Sequence, residues 1–129
     1  MRLNDKIDTL HQFDFRLAIR DHTGLRKQFF WAISKRTSLD VATLAQDTLC
    51  ALGRWLHDDA QRAHRYLDGY VACLDAHKAF HFEAARVAQA INDTADSHDA
   101  ERMFAIGSDY SKASIELGVA ITRLMKARI

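Results

Sequence analysis

Proline is absent from the 129 residues, and glycine occurs only five times. With both helix breakers scarce, the long stretches of Ala, Leu, Arg, Lys, Gln and Asp at helical spacing favour an all-α fold strongly over any strand reading. An excess of charge of one sign is also missing, since 18 Lys and Arg face 17 Asp and Glu for a formal net charge of +1. The basic excess of a nucleic-acid binder and the Lys/Arg-rich face of a membrane-surface helix are therefore not suggested. No apolar run approaches the ~20 residues of a membrane span. At the amino terminus, Met1-Arg2-Leu3-Asn4-Asp5-Lys6 carries charges where a secretory signal needs an apolar stretch. A cytoplasmic protein, with neither nucleic acid nor membrane as partner, is expected. Cysteine is limited to Cys50 and Cys73, which in a reducing compartment are expected as thiols, with a metal or redox role open to one of them.

What is present is 48% hydrophobic residues, enough for a single domain over residues 1–129 whose core needs no disulfide staple. The apolar spacing predicts an all-α, antiparallel four-helix bundle with one or two additional short helices. The first long helix is expected over about 5–34, capped by Asn4 or Asp5, with the row Leu3, Ile7, Leu10, Phe13, Leu17 followed by Ala18, His22, Leu25, Phe29, Ile33. A polar break at 34–38 leads to a short helix over 39–49 and a second after Cys50. Another long helix is expected over about 66–91, with Tyr70, Leu74, His77, His81, Ala84, Ala88 and Ile91 on one face. The last, over about 96–126, carries Met103, Ile106, Tyr110, Ala113, Leu117, Ala120 and Leu124.

Histidine stands where apolar residues belong in two of these rows. His77 and His81, four apart on one helix, project from the same face with Cβ atoms ~6 Å apart, a spacing that lets two imidazoles share one ion. Spacing alone is weak, because a histidine on an apolar face is commonly a hydrogen-bonded core residue. His22 on the first helix and Cys50 in the turn beside Leu52, Gly53 and Trp55 add a third imidazole and a thiol. Several buried polar groups cost several kcal/mol unless they satisfy one another or a ligand does. Three nitrogens and one thiolate suit Zn²⁺ better than Mg²⁺ or Ca²⁺, which prefer oxygens.

Cys50-Ala51-Leu52-Gly53-Arg54-Trp55, the downstream His77-Lys78-Ala79-Phe80-His81 and a histidine in the first helix together resemble the chemoreceptor zinc-binding domain family of bacterial chemoreceptors and diguanylate cyclases. The resemblance extends over about residues 18–125. It implies a zinc ion on His22, Cys50, His77 and His81. The family places a Trp three residues after its first ligand, where this chain has Leu25, with Trp31 further on; His11 is the alternative first ligand, earlier on the helix. The resemblance also implies a regulatory domain that senses zinc, or an oxidant such as hypochlorous acid acting on a redox-sensitive Cys50, and signals through altered helix packing. Homodimerisation through the first or last helix, and a separate signalling protein of a chemoreceptor or cyclase pathway as partner, are further implications, with the chain read as a stand-alone version.

Other residues read more plainly. Asp47 is expected as a helix cap or as an acceptor behind the metal ligands, with capping favoured, and Trp55 as a packing residue that shields the thiolate. Gly53 suits a close backbone approach beside Cys50. Cys73 reads as a small buried hydrophobe, and His57, His64 and His98 as solvated. Two other bundles of this size fit less well. A hemerythrin-like di-iron site needs bridging carboxylates, and the glutamates are only Glu83, Glu101 and Glu116. A histidine phosphotransfer site at His64, with Gly69 following, would carry Asp68 where the incoming phosphoryl group favours Lys. Four protein ligands leave no open position for a catalytic water, so no enzyme activity is expected.

Overall fold

A computed structural model describes residues 13–94 and 96–127, apart from the side chains of 63 and 64. All regular elements among them are helices: α1 (Phe15–Thr23), α2 (Leu25–Lys35), α3 (Val41–Leu44), α4 (Ala51–His57), α5 (Asp59–His64), α6 (Tyr70–Asp93), α7 (Ser97–Arg102) and α8 (Asp109–Ala127). The result is an all-α helical bundle centred on α6, which packs most extensively on α8 and also touches α2, α3 and α7, while α1 lies on α8.

Two expected long helices are each divided. The first breaks between α1 and α2 at Gly24. There the Thr23 hydroxyl donates to the Ile19 and Arg20 carbonyls, at 3.0 and 3.2 Å, in competition with the helical ladder. Its described start is at Phe15, where the Asp14 carboxylate accepts from Leu17 N at 2.9 Å. The proposed cap at Asn4 or Asp5, the row Leu3, Ile7, Leu10 and the alternative ligand His11 lie outside the described residues. Leu17, expected in the apolar row, is 39% exposed.

The last helix is divided more sharply, between α7 and α8. Gly107 adopts φ +87°, a left-handed conformation that ends a helix, and Ser108 Oγ then accepts from Ser111 N at 3.1 Å to start α8. Ile106, placed on the core row by spacing, falls in this turn and is 92% exposed. From Tyr110 onward the expected row holds: Tyr110, Ala113, Leu117, Ala120 and Leu124 are buried.

The connecting segment is less helical than expected, α3 covering only Val41–Leu44, where Asp40 caps with its carboxylate accepting from Thr43 N and Thr43 Oγ1. The segment is fastened to α6 by Asn92, whose Oδ1 accepts from Leu39 N at 2.8 Å and whose Nδ2 donates to Leu39 O at 2.9 Å. The start of α6 falls at Tyr70 rather than near 66, and the buried Tyr70 hydroxyl donates to Leu56 O at 2.7 Å, tying α6 to α4. Away from these ties, Phe29 lies 5.4 Å from both Phe104 and Tyr110, ring centre to ring centre, and Phe80 lies 5.4 Å from Tyr110. Burying each such ring is worth about 1.5–3 kcal/mol.

Candidate metal centre

Four segments meet at a common point, three of them bringing polar side chains, of which α6 brings two. His22 ends the apolar stripe of α1, and His77 and His81 occupy successive turns of α6 on its buried face. Cys50 precedes α4, and the fourth segment, α3, contributes a carbonyl rather than a ligand.

Cys50 holds its place by capping. Its extended backbone (φ −79°, ψ 165°) opens α4, and its Sγ accepts from Gly53 N at 3.3 Å. Gly53 is required by space: a Cβ there would stand 1.7 Å from the Asp47 carbonyl oxygen. The favoured capping role for Asp47 is thereby corrected. Cys50 itself is the N-cap of α4, and the Asp47 carboxylate instead lies 3.6 Å from His57 Nε2. Trp55 is 7% exposed and stacks on Phe13 at 4.4 Å with Phe15 at its edge; among the described residues it makes no hydrogen bond to a ligand.

The four donor atoms, Cys50 Sγ and one ring nitrogen from each histidine, all lie within 4.8 Å of one another. From Sγ, the Nε2 atoms of His77, His81 and His22 are 3.1, 3.6 and 3.7 Å away. A tetrahedral zinc site, with Zn–S ~2.3 Å and Zn–N ~2.0–2.1 Å, places sulfur and nitrogen about 3.6 Å apart. The observed separations bracket that value.

Orientation is built in on the far side of the rings. His22 Nδ1 stands 2.6 Å from Ala18 O, one turn earlier on α1, and His81 Nδ1 stands 2.9 Å from Leu44 O. Leu44 closes α3, so its carbonyl lacks an intrahelical partner and His81 supplies one. Each contact favours the tautomer with the proton on Nδ1, leaving the Nε2 lone pair toward the sulfur. His77 is fully buried, and its Nδ1 has no partner among the described residues. Its polar interactions therefore run through Nε2 alone.

Burial also fixes the charge state. Desolvation lowers the pKa of His22, and pushes that of His77 down to about 3 with help from His81, His22 and His57. Both rings are neutral donors at neutral pH. Desolvation raises the Cys50 pKa, against the opposing pull of the Gly53 and Leu52 amides. A bound cation reverses that balance, because coordination deprotonates a thiol. Four convergent donors, three of them buried imidazoles and the fourth a half-buried thiol, fit a single borderline-soft cation, and among the described residues no Asp or Glu joins them.

Residues 22–88 match the family model of the chemoreceptor zinc-binding domain. The chain belongs to the chemoreceptor zinc-binding domain family. The matched stretch is shorter than the 18–125 span of the resemblance, and it begins on His22, the first of the clustered ligands. No curated protein and no solved structure gives a significant match.

Every residue expected as a ligand of the chemoreceptor zinc-binding domain is thus in the cluster. Glu83, considered for di-iron chemistry, pairs with Arg86 at 3.0 Å. The side chain of His64 lies outside those described. Cys73 is fully buried with its thiol pushed up to about 12 by desolvation, the state of a small hydrophobe. Sequence reasoning missed the Ala18 and Leu44 carbonyls. Ala18 could have been found, being four residues before His22; Leu44 is brought in only by the packing of α3 on α6.

Proposed function

We propose that this chain is a zinc-binding regulatory domain in which His22, Cys50, His77 and His81 hold one Zn²⁺ and the state of that site sets the packing of the bundle. The observation that supports this most is the convergence of three Nε2 atoms on one sulfur, with two of the opposite nitrogens held by backbone carbonyls. Bound zinc would supply the positive charge that keeps Cys50 as thiolate. All four positions of a tetrahedral shell are then filled by protein, which leaves a regulatory or structural role and no seat for a catalytic water.

The ligands also give the site its leverage over shape. His22 belongs to α1, His77 and His81 to α6, and Cys50 to the turn before α4, so losing one ligand uncouples segments that otherwise share a buried point. Zinc availability is one input. An oxidant is the other: the Cys50 thiolate attacks hypochlorous acid, forming a sulfur–oxygen bond overall while chlorine leaves as chloride, and the resulting sulfenic acid is a poorer ligand. Output passes to a separate signalling protein or through self-association in a homodimer. Ile115 and Val119, one turn apart on α8 and 65% and 63% exposed, favour the last helix as the self-association face.

Elemental analysis of protein purified without added metal tests the reading. About one zinc per chain is expected, with Cys50→Ser and His81→Ala each losing most of it. Wild-type protein free of zinc under saturating conditions would overturn it.

A further inference from the structure

The cluster is not sealed. A cavity of about 430 Å³ reaches it between α1, the end of α3 and the turn that carries Cys50. His22, Cys50 and His81 line this cavity, whereas His77, fully buried, does not. Exposure rises outward along the lining, from Phe80 at 0% to Leu17 at 39%. Two carboxylates, Asp14 and Asp21, stand on exposed lining positions. Asp14 is committed to capping α1; Asp21, next to the ligand His22, makes no ion pair or side-chain hydrogen bond among the described residues.

We infer that this cavity is the route by which the metal ion reaches and leaves the cluster, with Leu17 setting its width and Asp21 meeting the cation at its mouth. The inference rests on the zinc-site reading above. Three of the four ligands can be approached from the cavity side, so an arriving ion can exchange its water for nitrogen and sulfur donors in succession while His77 waits at the back. Most of the wall is apolar, including Leu17, Leu25 and Phe80. An apolar wall offers a hydrated cation nothing to bind, so the carboxylate at the mouth gathers the ion and the ligands retain it. Because one passage serves both directions, its width alters uptake and release together and leaves the affinity unchanged.

The test is zinc exchange with a chromogenic chelator followed by stopped flow, across the series Leu17→Ala, wild type, Leu17→Phe and Leu17→Trp. Both rates are expected to fall along the series, by about tenfold or more from the first to the last, while their ratio moves by less than about twofold. Asp21→Asn is expected to slow uptake by about three- to tenfold at low salt and to flatten its salt dependence. A second readout uses metal-free protein: alkylation of Cys50 by uncharged iodoacetamide, located by peptide mapping, should slow along the Leu17 series and be unaffected by Asp21→Asn. Exchange and alkylation rates that ignore the size of residue 17 would overturn the route, whereas normal uptake and salt dependence in Asp21→Asn would overturn the role of Asp21. Wild-type protein that takes up no zinc would sink the zinc reading alone, and the alkylation series would still decide whether this cavity leads to the cluster.

Discussion

Along α6, the turns bearing His77 and His81 and the turns bearing Ala84, Val87 and Ala88 are all buried, yet different chemistry surrounds them. The first region gathers three imidazoles and a thiol, with backbone carbonyls behind two of the rings. Elsewhere the core relies on apolar packing, in which Phe29, Phe104 and Tyr110 contact one another or a common ring. Phe80 joins the two, its ring 5.2 Å from His22 on one side and 5.4 Å from Tyr110 on the other. Apolar packing is complete once the chain has folded, whereas buried polar donors keep an unmet requirement that a ligand satisfies. On the proposed zinc reading, stability in the first region depends on a bound ion and in the second does not.

The largest break in this comparison is expected from Gly53→Ala. Its Cβ meets the Asp47 carbonyl oxygen at 1.7 Å, so the turn that presents Cys50 must move. Zinc content should fall to near zero by elemental analysis, with a loss of more than about 3 kcal/mol in denaturant unfolding of the zinc-loaded protein. Phe104→Ala acts on the other region. It should destabilise by about 3–5 kcal/mol, by nearly the same amount with zinc or with a chelator present, because it leaves the ligands in place.

A smaller effect sharpens the boundary between the regions. Asn92→Ala removes two hydrogen bonds to Leu39 and should cost about 1–2 kcal/mol. It also loosens the segment that brings the Leu44 carbonyl to His81; zinc affinity, measured by chelator competition, should drop by about tenfold or less. The smallest metal effect belongs to Cys73→Ala. Although Cys73 lies one turn before His77, the substitution should leave zinc stoichiometry at one and lower stability by about 1 kcal/mol.

The same contrast explains what was legible in the amino-acid order. Ligands announce themselves because an imidazole on an apolar stripe is anomalous: His22, His77 and His81 interrupt rows that predict burial, and burial is where they lie. Gly53 was legible for a similar reason, since a turn crowded against Cys50 has room for no side chain. The family match beginning on His22 separates it from His11, a choice that helical spacing left open. Helix ends were harder to read. Apolar spacing continues through Met103 and Ile106 as though the helix did, and only the left-handed Gly107 followed by Ser108 marks the break. Carboxylates commonly cap helices, which favours a cap over an acceptor behind the ligands for Asp47, yet here the thiol of Cys50 does the capping. The cavity beside the ligands arises where α1, α3 and the Cys50 turn meet, and no local pattern in any one of them foretells it.

X-ray absorption at the zinc edge tests the central claim most directly, because it counts the atoms around the ion without reference to any partner or stimulus. Three nitrogen neighbours at about 2.0 Å and one sulfur at about 2.3 Å are expected in the wild type, with the sulfur shell lost in Cys50→Ser. A wild-type spectrum without sulfur, or with a shell of oxygens, would contradict the account.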